Sequence, residues 1–290
     1  MNFAERDGHI WFDGAMVGWR DATVHVLSHG LHYASSVFEG IRVYGGAPFA
    51  LEEHYRRLHR SAAVLRIDVP FGVAELCAAT RELIAASGVA DGYVRPISWR
   101  GSGSIEVPGF DAGSHTAVAL WAWPSVFGED ARTAGIRIGT SRWRRPDPDT
   151  APTEAKSASN YAIGTLARHE VAGQGFDDAL LLDRQGRVAE ATGANIFLVA
   201  DGALHTPIAD SFLSGITRAT VIGIAGRCGI EVVERRILPS EIAGADEVFL
   251  TGTAYEVQPV RAVDDVELAP GPVTRRLQEE YRALVHGGGR

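Results

Sequence analysis

The chain has 290 residues, 46% of them hydrophobic and 22% charged, with a formal net charge of −8. That length and balance predict about two globular domains and exclude disordered, collagen-like and coiled-coil chains. The acidic excess argues against a nucleic-acid binder, which needs a basic surface to meet the phosphate backbone.

Cys77 and Cys228 are the two cysteines. They are too few for a disulfide framework or a four-cysteine zinc site, and no metal site is expected. Both lie in apolar, helix-like stretches (AELCAAT and IAGRCGI) and read as buried small hydrophobes. No apolar run reaches the roughly 20 residues of a membrane helix. The opening MNFAERDGHIWF lacks the basic-then-apolar layout of a signal peptide. A cytoplasmic protein that does not bind membranes is the expectation.

In chain order, HIWFDGAMVGW places a DG turn between two apolar stretches and predicts a hairpin. FEGIRVYGGAPFAL repeats the pattern about Gly45-Gly46. Residues 52–67 read as a helix, with Tyr55, Leu58, Ala62 and Leu65 at three- and four-residue spacing. Residues 73–87 read as a second helix ended by Gly88, and YVRPISW and TAVALWAW as strands. A proline-rich stretch over 124–152 reads as loop. The expected division is a small N-terminal α/β domain over 1–128, an interdomain loop over 129–135, and a larger domain over 136–290.

Beyond it, residues 160–171 read as helix, ALLLD and NIFLVA as strands, 216–227 as helix, EVVER and EVFLTGT as strands, and 274–285 as a closing helix. The final HGGGR reads as a frayed tail. The mixture predicts an α+β (mixed α/β) protein without internal repeats.

Of the 28 basic residues, 27 are arginine; Lys156 is the only lysine. Arginine replaces lysine readily on a solvated surface but cannot act as a neutral amine nucleophile. A lone lysine is therefore either a chance survivor or a place where an amine is required. Lys156 stands in APTEAKSASNY, just before a helix-like run, with Tyr161 five residues on. A helix N-terminus carries a positive partial charge, which favours the nucleophilic form of a neighbouring amine and suits Schiff-base chemistry. Elsewhere, Glu190 precedes a glycine-containing turn and a strand. SGITRATVI sets Ile216 and Thr217 at a helix start, where backbone N–H groups bind phosphate or Ser214 simply caps the helix. TGTAYE ends a strand with Thr251, Gly252 and Thr253, and HYRRLHRSA puts Arg56, Arg57 and Arg60 on one helix.

Taken together, these segments resemble the fold-type IV pyridoxal-phosphate transaminases, and among them the branched-chain amino acid aminotransferases. The matching stretches are VHVLSHGLHYASSVFEGIRVY, HYRRLHRSA, YVRPI, APTEAK with NY, GITRATVI and DEVFLTGTAYEVQPV, in that order along nearly the whole chain. The resemblance implies a two-domain enzyme with pyridoxal 5′-phosphate between a smaller and a larger domain. Lys156 matches the lysine that holds the cofactor and shuttles the proton. Glu190 matches the partner of the pyridine nitrogen, Tyr161 the neighbour of the phenolic oxygen, and Arg57 the phosphate-binding arginine. Ile216 and Thr217 match a backbone phosphate cradle, and Thr253 a hydroxyl contact to it.

For substrate, Phe38 matches an apolar wall, and Tyr93 and Arg95 match residues facing the substrate, the arginine being the clamp for the side-chain carboxylate of glutamate. Thr253 and Ala254 match the turn that holds the α-carboxylate. Tyr33 and Val107 match residues lent by a neighbouring subunit, which implies a homodimer or a dimer-based assembly. Three departures fall among residues that shape side-chain preference: Ala194 where many members have glutamate, Val126 where some have tyrosine, and an altered loop over 102–108.

The implied reaction moves an amino group between L-leucine, L-isoleucine or L-valine and 2-oxoglutarate. Its rivals are a transaminase for D-amino acids, aromatic L-amino acids or (R)-amines, a lyase of the aminodeoxychorismate type, and a cofactor-free scaffold. Lys156, Glu190, Tyr161 and Arg57 together argue against the scaffold.

Overall fold

The computed structural model describes residues 2–123 and 126–287. They cluster into two compact units, one of residues 2–123 with 155–159 and one of residues 126–154 with 160–287.

In the first unit, β1 (His9–Phe12) and β2 (Ala15–Gly18) pair as the expected hairpin. Asp13 and Gly14 both take positive φ, as a two-residue turn of this kind requires. α1 (His29–Tyr33) leads to β3 (Ser36–Phe38), β4 (Ile41–Tyr44) and β5 (Ala47–Pro48). α2 (Leu51–Val64) and α3 (Val73–Ser87) follow, then the long hairpin of β6 (Gly92–Arg100) and β7 (Ser114–Ala122). The sheet runs β2-β1-β7-β6-β4-β5, with β3 also on β6, and its strand pairs are antiparallel.

The apolar row Leu51, Tyr55, Leu58 and Ala62 of α2 packs with Leu76 and Leu83 of α3 onto Val94, Val118 and Leu120 of the sheet. Helix α2 buries a second row, His54, Arg57 and Ser61. A polar row that solvent would normally cover is instead turned inward, which marks a site.

Strand β6 carries Pro96 in its interior, between β7 and the β3–β4 side. Proline has no N–H to donate, so it suits the point where the ladder is interrupted. Glu39 and Gly40 separate β3 from β4 there, and the Glu39 N–H donates to Pro96 O at 2.8 Å. The interruption is what frees Glu39 to leave the sheet pattern.

The second unit opens with α4 (Glu129–Ala134) and β8 (Ile136–Arg144), followed by α5 (Tyr161–Ala172), β9 (Asp178–Leu182), β10 (Val188–Ala191), β11 (Asn195–Ala200) and β12 (Ala203–Pro207). Then come α6 (Ile216–Arg227), β13 (Val232–Arg235), β14 (Glu247–Gly252), β15 (Glu256–Val263), β16 (Val266–Glu267) and α7 (Pro272–His286). The strand order is β10-β9-β8-β15-β14-β11-β12-β13, and β10 also pairs with β11. Six strands thus close on themselves, which removes the free edge of β10. Ile136, Ile138, Leu180, Ile196, Leu198, Leu250 and Val260 belong to one buried cluster. Ala179 and Leu181, of opposite parity on β9, join Ala167 and Val171 of α5 in another. Burial on both faces explains why ALLLD and NIFLVA are continuous apolar runs rather than alternating ones.

The secondary structure departs from expectation in one region above all. The stretch over 124–152 read as loop contains α4 and β8, and α4 fills most of the segment 129–135. β8 pairs in parallel with β9 and β15, so tertiary pairing outweighs its weak local signal. Its Gly139 is a packing glycine: a Cβ there would meet the Phe176 ring at 2.6 Å. β10, β12 and β15 are also not apparent in the sequence, the last two because each holds a proline. The tail read as frayed lies outside the described residues from position 288 on. No helix among the described residues is long and apolar enough to cross a membrane.

Candidate active site

On the first unit, Lys156 is held by its backbone. Its N–H donates to Ser61 Oγ at 2.9 Å, and its carbonyl accepts from the Phe38 N–H at 3.2 Å. The next residue, Ser157, bridges to Val37. Helix α2 therefore fixes the lysine through Ser61, one turn beyond Arg57 on the same face. The Lys156 Nζ lies 4.9 Å from the centre of the Phe38 ring. Arg95 also faces that ring, at 4.8 Å, and lies 5.3 Å from Tyr93. Tyr93 and Arg95 are two apart on β6 and share its face away from the α2–α3 core. Gly40 makes room there: a Cβ would stand 1.8 Å from the Tyr93 hydroxyl.

Arg57 is buried against Glu39, with Nε 2.7 Å from Oε1 and Nη2 2.9 Å from Oε2. His54 Nδ1 is 2.7 Å from the same Oε2. Burial opposes ionisation of Glu39, but Arg57, helped by His54, outweighs it and holds the carboxyl well below its ordinary range. Burial pushes the His54 imidazole below its ordinary value despite the pull of Glu39. His54 is thus neutral near pH 7, donating its Nδ1–H, and Arg57 supplies the counter-charge. The two-pronged contact fixes the plane of the guanidinium.

On the second unit, Glu190 is buried in β10, beside a register shift between β10 and β9. Such irregularities re-aim side chains. Arg145 Nε is 3.2 Å from Glu190 Oε1, and Arg145 Nη1 donates to Asn160 O at 3.1 Å. Arg145 so links the carboxylate to the start of α5, whose first residue is Tyr161. Asn195 links it to α6. Its Nδ2 donates to Glu190 Oε2 at 3.2 Å and to Leu213 O at 3.0 Å, while its Oδ1 accepts from the Gly215 N–H at 3.0 Å. Gly215, rather than Ser214, is the N-cap of α6, and no side chain caps the helix. Ile216 and Thr217 form its first turn, where N–H groups point along the axis. Thr253 and Ala254 lie in the turn that joins β14 to β15.

The first unit thus gathers Lys156, Phe38, Tyr93, Arg95 and Arg57, and the second gathers Tyr161, Glu190, Ile216 and Thr217 through Arg145 and Asn195. Tyr33 and Val107 stand elsewhere on the first unit and are exposed, Val107 by 72%. The Tyr33 hydroxyl donates to Ile105 O at 3.2 Å, and buried His29 lies 3.1 Å from Glu106 O. These contacts tie α1 to the loop that carries Val107.

Sequence reasoning missed Glu39, His54, Arg145 and Asn195. An acid inside the apolar run VFEGIRVY was the available signal for Glu39, since a buried carboxylate needs a partner. Nothing local marked Arg145 among its arginine neighbours. The donor set fits a phosphorylated pyridine aldehyde: an amine, a buried oriented guanidinium, an uncapped helix start and a buried carboxylate. Among the described residues, no cluster suited to a metal ion occurs.

The model of the class IV amino-transferase family matches residues 36–263. The chain is 41% identical to the branched-chain-amino-acid aminotransferase of Pseudomonas aeruginosa, over 99% of this chain and 96% of that one. It is similar to a T.th. branched-chain amino acid aminotransferase solved with pyridoxamine 5′-phosphate, with a TM-score of 0.94 and 42% identity over 97% of this chain and 95% of that one. The same T.th. enzyme, complexed with N-(5′-phosphopyridoxyl)-L-glutamate, matches with a TM-score of 0.92 and 40% identity over 97% and 95% of the two chains.

Proposed function

Because the chain belongs to the class IV amino-transferases, and among them to the branched-chain-amino-acid aminotransferases, we propose that it moves the amino group between L-leucine, L-isoleucine or L-valine and 2-oxoglutarate. One observation carries the geometric side of this reading. The only lysine of the chain is fixed on the unit that also buries Arg57 and lines up Phe38, Tyr93 and Arg95.

Pyridoxal phosphate, when bound, supplies an aldehyde for the amine and a ring that withdraws electrons from the substrate Cα. The protein does the rest. Lys156 would hold the carrier through its amine and would take and return the proton at the substrate Cα. Glu190 accepts the pyridine N–H, and Arg145 and Asn195 keep its carboxylate aimed. Tyr161, at the start of α5, donates towards the phenolic oxygen. Arg57, in the plane set by Glu39, takes the phosphate together with the Ile216 and Thr217 N–H groups and the Thr253 hydroxyl.

The N–H groups of Thr253 and Ala254 hold the substrate α-carboxylate. Phe38 and Tyr93 face a branched aliphatic side chain, and Arg95 clamps the distal carboxylate when 2-oxoglutarate or glutamate takes the same place. Glutamate as the second donor is supported by the phosphopyridoxyl-glutamate form of the T.th. relative.

Tyr33 and Val107 reach a neighbouring copy in a homodimer. Val26, Leu31, Ile105 and Phe110 on the same segments are large, apolar and exposed, as an obligate interface requires. The two free cysteines suit a reducing cytoplasm.

Half-reaction spectroscopy tests the reading. Holoenzyme is mixed in turn with L-leucine, L-glutamate, a D-amino acid and (R)-1-phenylethylamine, and conversion to the pyridoxamine band is followed. Fast conversion by both L-leucine and L-glutamate is expected. Conversion by the D-amino acid or the amine alone would move the enzyme to another specificity and remove the role given to Arg95.

A further inference from the structure

Tyr255 closes the turn that carries Thr253 and Ala254, its N–H donating to Gly252 O at 3.1 Å. Its side chain then turns back into the unit. The hydroxyl donates to Asp178 Oδ2 at 2.8 Å. Asp178, fully buried at the start of β9, accepts on its other oxygen from Thr192 Oγ1 at 2.5 Å and from the Ala179 N–H at 2.8 Å. One carboxylate therefore holds both the turn after β14 and the turn after β10.

The two turns also pack closely at glycines, most tightly at Gly252. A Cβ on Gly252 would lie 3.0 Å from Gly193 O, and one on Gly193 would lie 3.4 Å from the Tyr255 hydroxyl. Ala194 completes the contact: its Cβ would be 3.4 Å from a Gly252 Cβ. Ala194 and the Tyr255 ring belong to the same packed cluster. The ring packs edge-on against Phe127 at 5.3 Å, and the Arg168 guanidinium lies 5.6 Å from Phe127 on its other contact. Burial and the Asp178 charge push the phenol far above its ordinary value, so the hydroxyl remains a donor at any working pH.

We infer that Tyr255, through its bond to Asp178, is a positioning residue that sets the Thr253–Ala254 turn for the substrate α-carboxylate. The inference rests on the reading that this turn binds that carboxylate. Backbone donors are effective when they are held in place before the ligand arrives.

The test uses holoenzyme and 4-methylvaleric acid, which has the carbon skeleton and carboxylate of leucine but no amine. In Tyr255→Phe the inhibition constant of this acid and the KM for L-leucine should rise about tenfold, the effect of one lost hydrogen bond. The affinity for pyridoxal phosphate should fall much less, because among the phosphate and ring contacts only the Thr253 hydroxyl lies on this turn. Asp178→Asn, which leaves one acceptor oxygen for three donors, should show the same selective loss and serves if Tyr255→Phe folds poorly. An unchanged inhibition constant in both variants, or a parallel loss of cofactor affinity, would overturn the inference. If the wild-type enzyme is neither inhibited by the acid nor converted by L-leucine, the substrate reading itself fails and takes this inference with it. A wild type that binds the acid while both variants bind it equally well removes the inference alone.

Discussion

Each unit buries one arginine against one glutamate, and the two pairs are used in opposite senses. In the first, Arg57 is the member assigned to the cofactor and Glu39 is its counter-ion. In the second, Glu190 is the assigned member and Arg145 the counter-ion. A buried charge without a partner is costly, so neither Arg57 nor Glu190 could stand alone in its unit. The counter-ion keeps each group charged and aimed in advance. The supports also differ. Glu39 is shared with neutral His54 on the same helix as Arg57, a local arrangement. Glu190 is shared with Arg145 and Asn195, which reach the starts of two different helices. The first pair is thus a rigid anchor, while the second ties Glu190, the proposed ring contact, to the elements bearing Tyr161, Ile216 and Thr217.

Removing Lys156 breaks the account at its largest. Lys156→Ala should abolish turnover, since no other lysine exists to take its place; appreciable steady-state activity in that variant would refute the catalytic assignment. The pairs themselves come next. Glu39→Ala should cost about 3–5 kcal/mol in apoprotein stability, because it removes the carboxylate that pairs with the buried Arg57 guanidinium. Pyridoxal phosphate should recover part of that loss, its phosphate standing in for the missing carboxylate. Thermal melts with and without cofactor measure both quantities, and a cofactor-induced rise in Tm no larger than wild type's would break the parallel.

Glu190→Gln should instead keep the fold and the bound cofactor while slowing the proton step at Cα by about a hundredfold or more, as loss of an ionic partner in a buried site predicts. Single-turnover rates separate the two behaviours. A smaller effect is expected from Arg95→Ala, which should raise the KM for 2-oxoglutarate about tenfold or more and that for L-leucine far less. Equal losses on the two substrates would refute the clamp.

The smallest effect is on pH dependence. The Glu39 carboxyl is lowered from 4.5 on folding, so its contribution is present above that value and is lost as pH falls through it towards the folded value. His54 is lowered from 6.5, so the unfolded chain takes its proton first, and stability falls in the same direction below that pH. Glu39→Gln should therefore differ most from wild type near neutrality, and the two should converge in acid. A constant difference across the pH range would contradict the ionised pair.

Much of this was legible in the sequence, and the rest was hidden for identifiable reasons. The hairpin at Asp13–Gly14, helices α2 and α3 of the first unit and the helix at Ile216–Arg227 follow from turn chemistry and apolar spacing, which are local. The lone lysine was legible because its rarity was a matter of counting. β8 was not, since IRIGTSRWR has no clean period and owes its conformation to β9 and β15 on either side. Closure of the strands through β10 and β11 rests on the Glu190–Asn195 pairing, which no local pattern announces. Asn195 reads locally as a turn residue, yet it joins Glu190 to Gly215, twenty positions further along the chain than itself. Counter-ions are set by tertiary distance, so Glu39 and Arg145 became visible only once α2 and β8 were in place.

The most direct test of the central claim is borohydride reduction of the cofactor-saturated enzyme followed by intact-mass and peptide analysis. The account predicts one phosphopyridoxyl adduct per chain, on Lys156. An unmodified chain, or an adduct on any other residue, would contradict it.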